Sequence, residues 1–364
     1  MKSRITLLST LAISAVLFIS SCKKDDDDIT PEPTPQSYTV PTTYNFASAD
    51  FTTSTQRIAM LGELTTYIKI THTISAHPTL DGQKLKDMYA NANSQFTDGV
   101  LNTSGIQLKD KTGNAFNAQA DFEINFMDAA AASVVASANP AAVTASNGVA
   151  GKLISGTRYV LVDTAGFEYK EYVEKGIMGA VFYYQGTTLL DNINSFDNVT
   201  VTGGTTAQER AWDEAFGYFG VPIDFPTNTT GLKNWGSYCN SVSTALALGG
   251  GTAVNTTIMN AWLKGRAAIT NKDNAGRDEA RNIVLRTWEK VCAARFITYV
   301  KSAKTNIAAQ ATFNHNLSEA VGFIRAFKYN PAKTISDADI NILLGYFKTG
   351  GSINLYTVTT TNLD

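Results

Sequence analysis

Histidine and cysteine are the scarce residues of this chain, three of each in 364. The histidines are His72, His77 and His315, with no His-rich or CxxC spacing, so neither a zinc ribbon nor a redox dithiol is expected. Cys22, Cys239 and Cys292 lie far apart and are too few for a disulfide framework. Cys292 falls on an apolar helical stripe, which favours two buried thiols over one bond. Charge is also thin, at 17% of residues, and nowhere does it gather into a basic run, so no nucleic-acid partner is expected. The chain has no nucleophile elbow, phosphate loop, dinucleotide fingerprint or HExxH, which weighs against the enzyme classes those motifs serve. It also lacks a solenoid period and an alternating array of strands.

The first residues are informative. Lys2 and Arg4 form a basic head, Ile5 to Ile19 an apolar middle, and Ile19-Ser20-Ser21-Cys22 a small-residue exit onto a cysteine. That order is a secretory leader, too short for a spanning helix. A cysteine at the exit marks the lipoprotein variant, in which the thiol is acylated and the mature chain starts there. Stable anchoring needs two or more acyl chains. Lys2 and Arg4 leave with a leader that carries no acid, so the mature chain has 28 basic and 32 acidic side chains.

Lys23-Lys24-Asp25-Asp26-Asp27-Asp28 and a Pro/Thr stretch follow, a composition that cannot bury a core. Lysine and acidic residues behind a lipidated cysteine resemble the export signal that sends Bacteroidetes lipoproteins to the outer face of the outer membrane. The reading is therefore a leader over 1–21, lipidated Cys22 and a disordered tether over 22–43, and an outer-membrane, surface-exposed protein touching lipid through Cys22.

Beyond the tether the apolar pattern is helical. Residues 55–70, 117–138 and 167–185 place apolar side chains three and four apart, and Arg277 to Gln310 runs without Gly or Pro. At 1.5 Å per residue that run would span about 50 Å. Thr205 with Gln208, and Ser336 with Asp339, read as N-cap pairs. Short strands are expected only at Tyr159–Val162 and Tyr356–Val358. An Asn/Thr/Gly-rich stretch over 191–205 sets a boundary between helical halves at 44–202 and 203–364. The expected fold is all-α, two bundle-like halves.

Three constellations carry the candidate chemistry. Trp212, Ala215, Phe216 and Phe219 form one face, read as core, of a helix that also holds Asp213, Glu214 and Tyr218. It runs into Val221 to Pro226, where proline forbids helix continuation, a plausible rim for a cleft. His315 and Glu319 stand one turn apart, opposite a core face, with Gly322 and Ala326 continuing their side. Small residues there suggest a second helix pressed close or a concavity, and the spacing suits joint metal ligation or a His–carboxylate hydrogen bond. Glu168, Glu171 and Glu174, with Lys175 four residues from Glu171, read as the charged face of an exposed helix.

The stretches Glu171 to Gln185, Trp212 to Pro222 and His315 to Ile324 resemble a family of Bacteroidetes surface lipoproteins that is distantly imelysin-like. The resemblance covers about Tyr44 to Leu355. It implies an all-helical, two-bundle fold and a role in iron acquisition. The imelysin GxHxxE signature is absent, and His315 and Glu319 keep its residue types at another spacing.

The leading expectation is a non-catalytic surface lipoprotein that helps capture iron or an iron-bearing ligand, with a TonB-dependent outer-membrane transporter as the candidate partner. Its metal set would be His315, Glu319, Asp213 and Glu214. Trp212, Tyr218 and Phe219 would line the ligand cleft, and iron or another divalent metal would be the cofactor. The alternatives are an imelysin-like metallopeptidase and a glycan- or protein-binding module with Trp235 and Tyr238 as its platform.

Overall fold

Apolar residues at helical spacing bury one stripe per helix, and the architecture follows from packing those stripes. The computed structural model describes residues 37–73, 76–138 and 144–364 and is all-α. The leader, Cys22, the tether to residue 36 and Pro140 lie outside the described residues. In chain order the helices are α1 (Thr52–Lys69), α2 (Gly82–Tyr89), α3 (Gly99–Thr103), α4 (Ala118–Ala138), α5 (Tyr169–Ile177) and α6 (Tyr184–Asp191). They continue with α7 (Ala207–Phe219), α8 (Asn234–Leu246), α9 (Ala253–Thr270), α10 (Asn274–Thr305), α11 (Gln310–Phe327) and α12 (Asp337–Gly345). Antiparallel β1 (Gly151–Ser155) and β2 (Arg158–Val162) form one hairpin, β3 (Lys348–Thr349) and β4 (Ser352–Ile353) a smaller one. The strand expected at 159–162 is β2, whereas Leu355–Thr357 is a 3-10 turn.

Local side-chain chemistry sets the helix ends. At α7 the capping box is Thr206 with Glu209, one residue beyond the expected Thr205 and Gln208. Gln208 instead turns its amide inward to Ile193 O at 2.9 Å. Ser336 caps α12 as its spacing with Asp339 suggests. The long Gly/Pro-free run is α10, 32 residues and about 48 Å. Between α5 and α6 the helix widens into a π segment, Met178–Tyr183. Widening frees carbonyls, and two accept donors from elsewhere: Met178 O from Trp235 Nε1 at 3.1 Å, Ala180 O from Gly113 N at 2.8 Å.

All four tryptophans are fully buried and touch in series, Trp212 to Trp262 at 5.6 Å, Trp262 to Trp288 at 6.3 Å and Trp288 to Trp235 at 5.9 Å between ring centroids. This aromatic spine joins helices α7 to α10. Helix α11 packs on α5 and α7 on α1, so the boundary expected at residue 203 falls inside one packed unit, Ser37–Asp364. The end of the expected tether already lies on that unit, where Tyr38 donates to Asp273 Oδ2 at 2.8 Å, and Tyr44, just beyond the tether, stacks on Phe216 with ring centroids 3.7 Å apart. Cys239 and Cys292 are buried and free, and burial pushes the Cys239 thiol up to about 12. Among the described residues no helix is long and apolar enough to cross a membrane.

Candidate metal centre

Helix α5 starts where the chain leaves β2, and α11 dictates how it starts. Gly166 turns at φ +86, a conformation that strains any Cβ, and a Cβ there would also meet Asn314 Nδ2 at 2.3 Å. The Asn314 amide donates to Gly166 O at 2.8 Å, and the Glu168 N–H donates to Ser318 Oγ at 2.9 Å. Asn314 and Ser318 flank His315 on α11, so the clamp that fixes the turn also fixes Glu168 against the imidazole. Glu168 Oε2 lies 2.7 Å from His315 Nδ1. Further along α11, Gly322 lets α5 approach so closely that an added Cβ would lie 2.5 Å from Lys175 Cβ. The small-residue side under His315 and Glu319 is thus the seat of α5.

Of the helix face expected to be solvated, Glu174 stays partly exposed and the rest is buried instead. Glu168 and Glu171 are each 1% exposed and Lys175 2%, because α11 covers them. Glu171 Oε1 stands 3.7 Å from His315 Nδ1, and Glu319 Oε1 stands 3.4 Å from His315 Nε2. On the other side, His72 Nε2 faces Glu168 Oε1 at 3.6 Å. Lys175 bridges Glu171 and Glu174 at 2.9 Å each and lies 3.8 Å from Glu319, while Lys170 binds Glu171 and Glu174 at 2.6 Å.

Each titration follows from these neighbours. Burial opposes the imidazolium of His315, but the Glu168 hydrogen bond and the charges of Glu168, Glu171 and Glu319 outweigh it and its pKa rises. Burial dominates at His72, whose pKa falls. Burial pushes the Glu319 carboxyl up to about 7, Glu171 adding to the effect and Lys175 and His315 opposing it. Burial also disfavours ionised Glu171, but Lys175 and Lys170 hold it far below the usual carboxylate range.

Glu168, Glu171 and His315 each offer one ligand atom, and these atoms lie within 4.8 Å of one another. Two N or O ligands bound at about 2.1 Å in tetrahedral geometry are about 3.4 Å apart. The 3.7 Å between His315 Nδ1 and Glu171 Oε1 is close to that spacing, and the 2.7 Å hydrogen bond from Glu168 to the same nitrogen would have to open for Nδ1 to ligate, whereas Glu319 meets the other ring nitrogen, Nε2, at 3.4 Å. Two polar atoms beside this set, His72 Nε2 and Glu319 Oε2, are buried without a hydrogen-bond partner. Such orphans cost about 1–3 kcal/mol each unless something satisfies them.

The other expected site residues are placed elsewhere. Asp213 is fully buried, accepting from Arg266 Nε at 2.8 Å and Tyr44 Oη at 2.7 Å. Glu214 faces outward from α7 toward Arg57 and Tyr218 Oη. Trp212, Tyr218 and Phe219 line no cleft; each is fully buried, and Trp212 presses on Gly265, where an added Cβ would lie 2.0 Å from its ring. Of the four expected metal ligands, the structure groups His315 with Glu319 and separates both from Asp213 and Glu214. Trp235 is fully buried, and Tyr238 lies under Lys175 and Arg295, so these two do not form an exposed aromatic platform. The Val221–Pro222 rim does border a cleft of about 880 Å³, together with α1, which contributes Ile58, Leu61 and Tyr67, but Trp212, Tyr218 and Phe219 are not among its lining residues. His77 contacts Lys152 at 3.1 Å and stands apart from the His315 cluster.

A family described as Domain of unknown function (DUF4856) matches residues 36–361. The chain belongs to that family. No curated protein and no solved structure matches it.

Proposed function

We propose that this DUF4856 protein is a lipid-anchored surface protein that captures a metal ion, iron foremost, through Glu168, Glu171 and His315. The observation that carries the reading is the convergence of two carboxylates and an imidazole from facing helices in a buried site where His72 Nε2 and Glu319 Oε2 are unsatisfied. Carboxylate and imidazole donors suit iron, zinc and manganese, and the absence of thiolate sets it apart from structural zinc sites. A metal must compete with Lys175 for Glu171, which favours reversible capture over a permanent structural ion. The anchor rests on the leader ending at Cys22, the outward orientation on the acidic tract behind it, and the iron role on the likeness to imelysin-like Bacteroidetes lipoproteins.

Calorimetry and elemental analysis of the chain with Fe(II) and Zn(II), beside a Glu168→Gln/His315→Ala variant, test the site. One ion per chain, lost in the variant, is the expected result. No binding, or equal binding by the variant, overturns it. Chelator-sensitive cleavage of peptides by the loaded protein would turn capture into hydrolysis.

A further inference from the structure

Beside the buried cluster lies a surface groove with its own chemistry. His72 is shared between the two: its Nε2 faces Glu168 Oε1 at 3.6 Å, and the same side chain lines a groove of about 430 Å³. The rest of the groove is the tip of the β1–β2 hairpin, with Ser155, Thr157, Arg158 and Tyr159, and Thr312 in the first turn of α11. Ser155 Oγ accepts the Ala311 N–H at 2.9 Å, which pins the hairpin tip over the start of α11 three to four residues from His315. Arg158 is exposed and makes no ion pair among the described residues. A guanidinium without an ion-pair partner, beside the hydroxyls of Ser155, Thr157 and Thr312, is the complement of a carboxylate or phosphate oxygen. The volume is in the range of small-molecule sites, about 300–1,000 Å³.

We propose that the ion is bound as a chelate: a small oxyanion chelator, carboxylate or phosphate in its oxygens, sits in this groove on Arg158 and the hydroxyls of Ser155, Thr157 and Thr312. Its remaining oxygens reach the metal beside His72. This rests on the metal reading above and names what accompanies the metal. The protein supplies ligands from inside, the chelator from outside, so neither needs to complete the coordination shell alone. It also gives a role to a surface-facing arginine that stands without an ion pair, among the described residues, in a groove sharing His72 with an acidic site.

The test uses the chain loaded with Co(II), whose visible bands report coordination, dialysed against labelled citrate in one arm and pyrophosphate in the other. The expected result is about one anion retained per metal in at least one arm, with a shifted visible spectrum and at least tenfold less retention by the metal-free chain. Arg158→Glu, and separately Thr157→Asp at an exposed turn, should lower anion retention at least tenfold and leave the Co(II) affinity measured without added anion within threefold. Retention in the citrate arm alone identifies a carboxylate chelate, in the pyrophosphate arm alone a phosphate chelate. Normal Co(II) uptake with no retained anion in either arm, or retention unchanged in both variants, overturns the chelate alone. Failure of the wild-type chain to take up Co(II) overturns the metal reading and the chelate with it.

Discussion

The carboxylates of Asp213 and Glu209 meet one guanidinium, Arg266, at 2.8 and 2.7 Å, while those of Glu168, Glu171 and Glu319 are shared among two histidines and two lysines. Both clusters are buried and both join helices distant in sequence. Arginine is always charged and offers a rigid fork, so the first cluster has one geometry and one charge state. Tyr44 and Thr270 close its outer edge, at Asp213 and Glu209. Histidine can give up its proton and expose a lone pair, and the lysines are single-point partners on flexible stems. The second cluster can therefore exchange partners where the first can only hold or break. Of the two α7 carboxylates singled out in the sequence, Asp213 is held in the Arg266 cluster and Glu214 lies outside both clusters; Glu168 and Glu171, read there as part of a solvated face, belong to the cluster that can exchange partners.

Removing the central cation from each cluster separates the two plans. Arg266→Met leaves Asp213 and Glu209 buried and uncompensated, and breaking such a pair costs about 3–5 kcal/mol. Denaturant unfolding should show that loss, and no metal should restore it. Lys175→Met leaves Glu171 with Lys170 and His315 still at hand, so the expected loss is smaller, about 2–3 kcal/mol. Here a divalent ion can take the place of the missing ammonium. Saturating Zn(II) should recover most of the stability, since a ligand at 100 times its dissociation constant adds about 2.7 kcal/mol. Equal loss in both variants with no recovery by zinc would erase the distinction.

How far each feature was legible follows from its range along the chain. Helix α10 was visible as a Gly/Pro-free run, and the α12 cap as a Ser and an Asp three apart, because both are local. His315, Glu319 and the small residue Gly322 were visible for the same reason, lying within eight positions on one helix face. Glu168 and Glu171 were misread because a charged helix face buried by a neighbour looks the same in sequence as a solvated one. What buries it is α11, and the His315–Glu168 contact spans 147 positions. Trp212 was misplaced for a related reason: only the facing Gly265 shows that its space is already filled. One available signal was the pairing of Gly322 with a charged helix elsewhere, since a glycine inside a helix implies a close neighbour that it does not name.

A third carboxylate sharpens the contrast with the smallest expected effect. Asp163 follows β2 and opens the turn that delivers Glu168, and among the described residues no cation pairs with it: Oδ1 accepts the Ala165 and Phe167 N–H groups at 2.8 Å each. Burial is the largest influence and raises its pKa to about 6, the backbone hydrogen bonds opposing and Asp128 adding. The folded pKa lies above the unfolded value of about 3.9, so the folded state binds the proton more tightly. Its contribution to stability is therefore complete below pH 4 and is lost as pH rises through about 6. Asp163→Asn keeps an acceptor oxygen for the turn and cannot ionise. Allowing for partial exposure, the variant should be more stable than wild type by about 1 kcal/mol at pH 8 and nearly equal to it at pH 4.5. Denaturant midpoints at the two pH values measure this directly. Because the turn geometry is retained, metal affinity should not change, whereas Glu168→Gln, five residues on, should weaken it. A stability loss at pH 8 would mean that the ionised Asp163 is held by something stronger than two backbone amides, and the turn would then belong with the Arg266 cluster as fixed scaffolding rather than with the exchangeable site it positions.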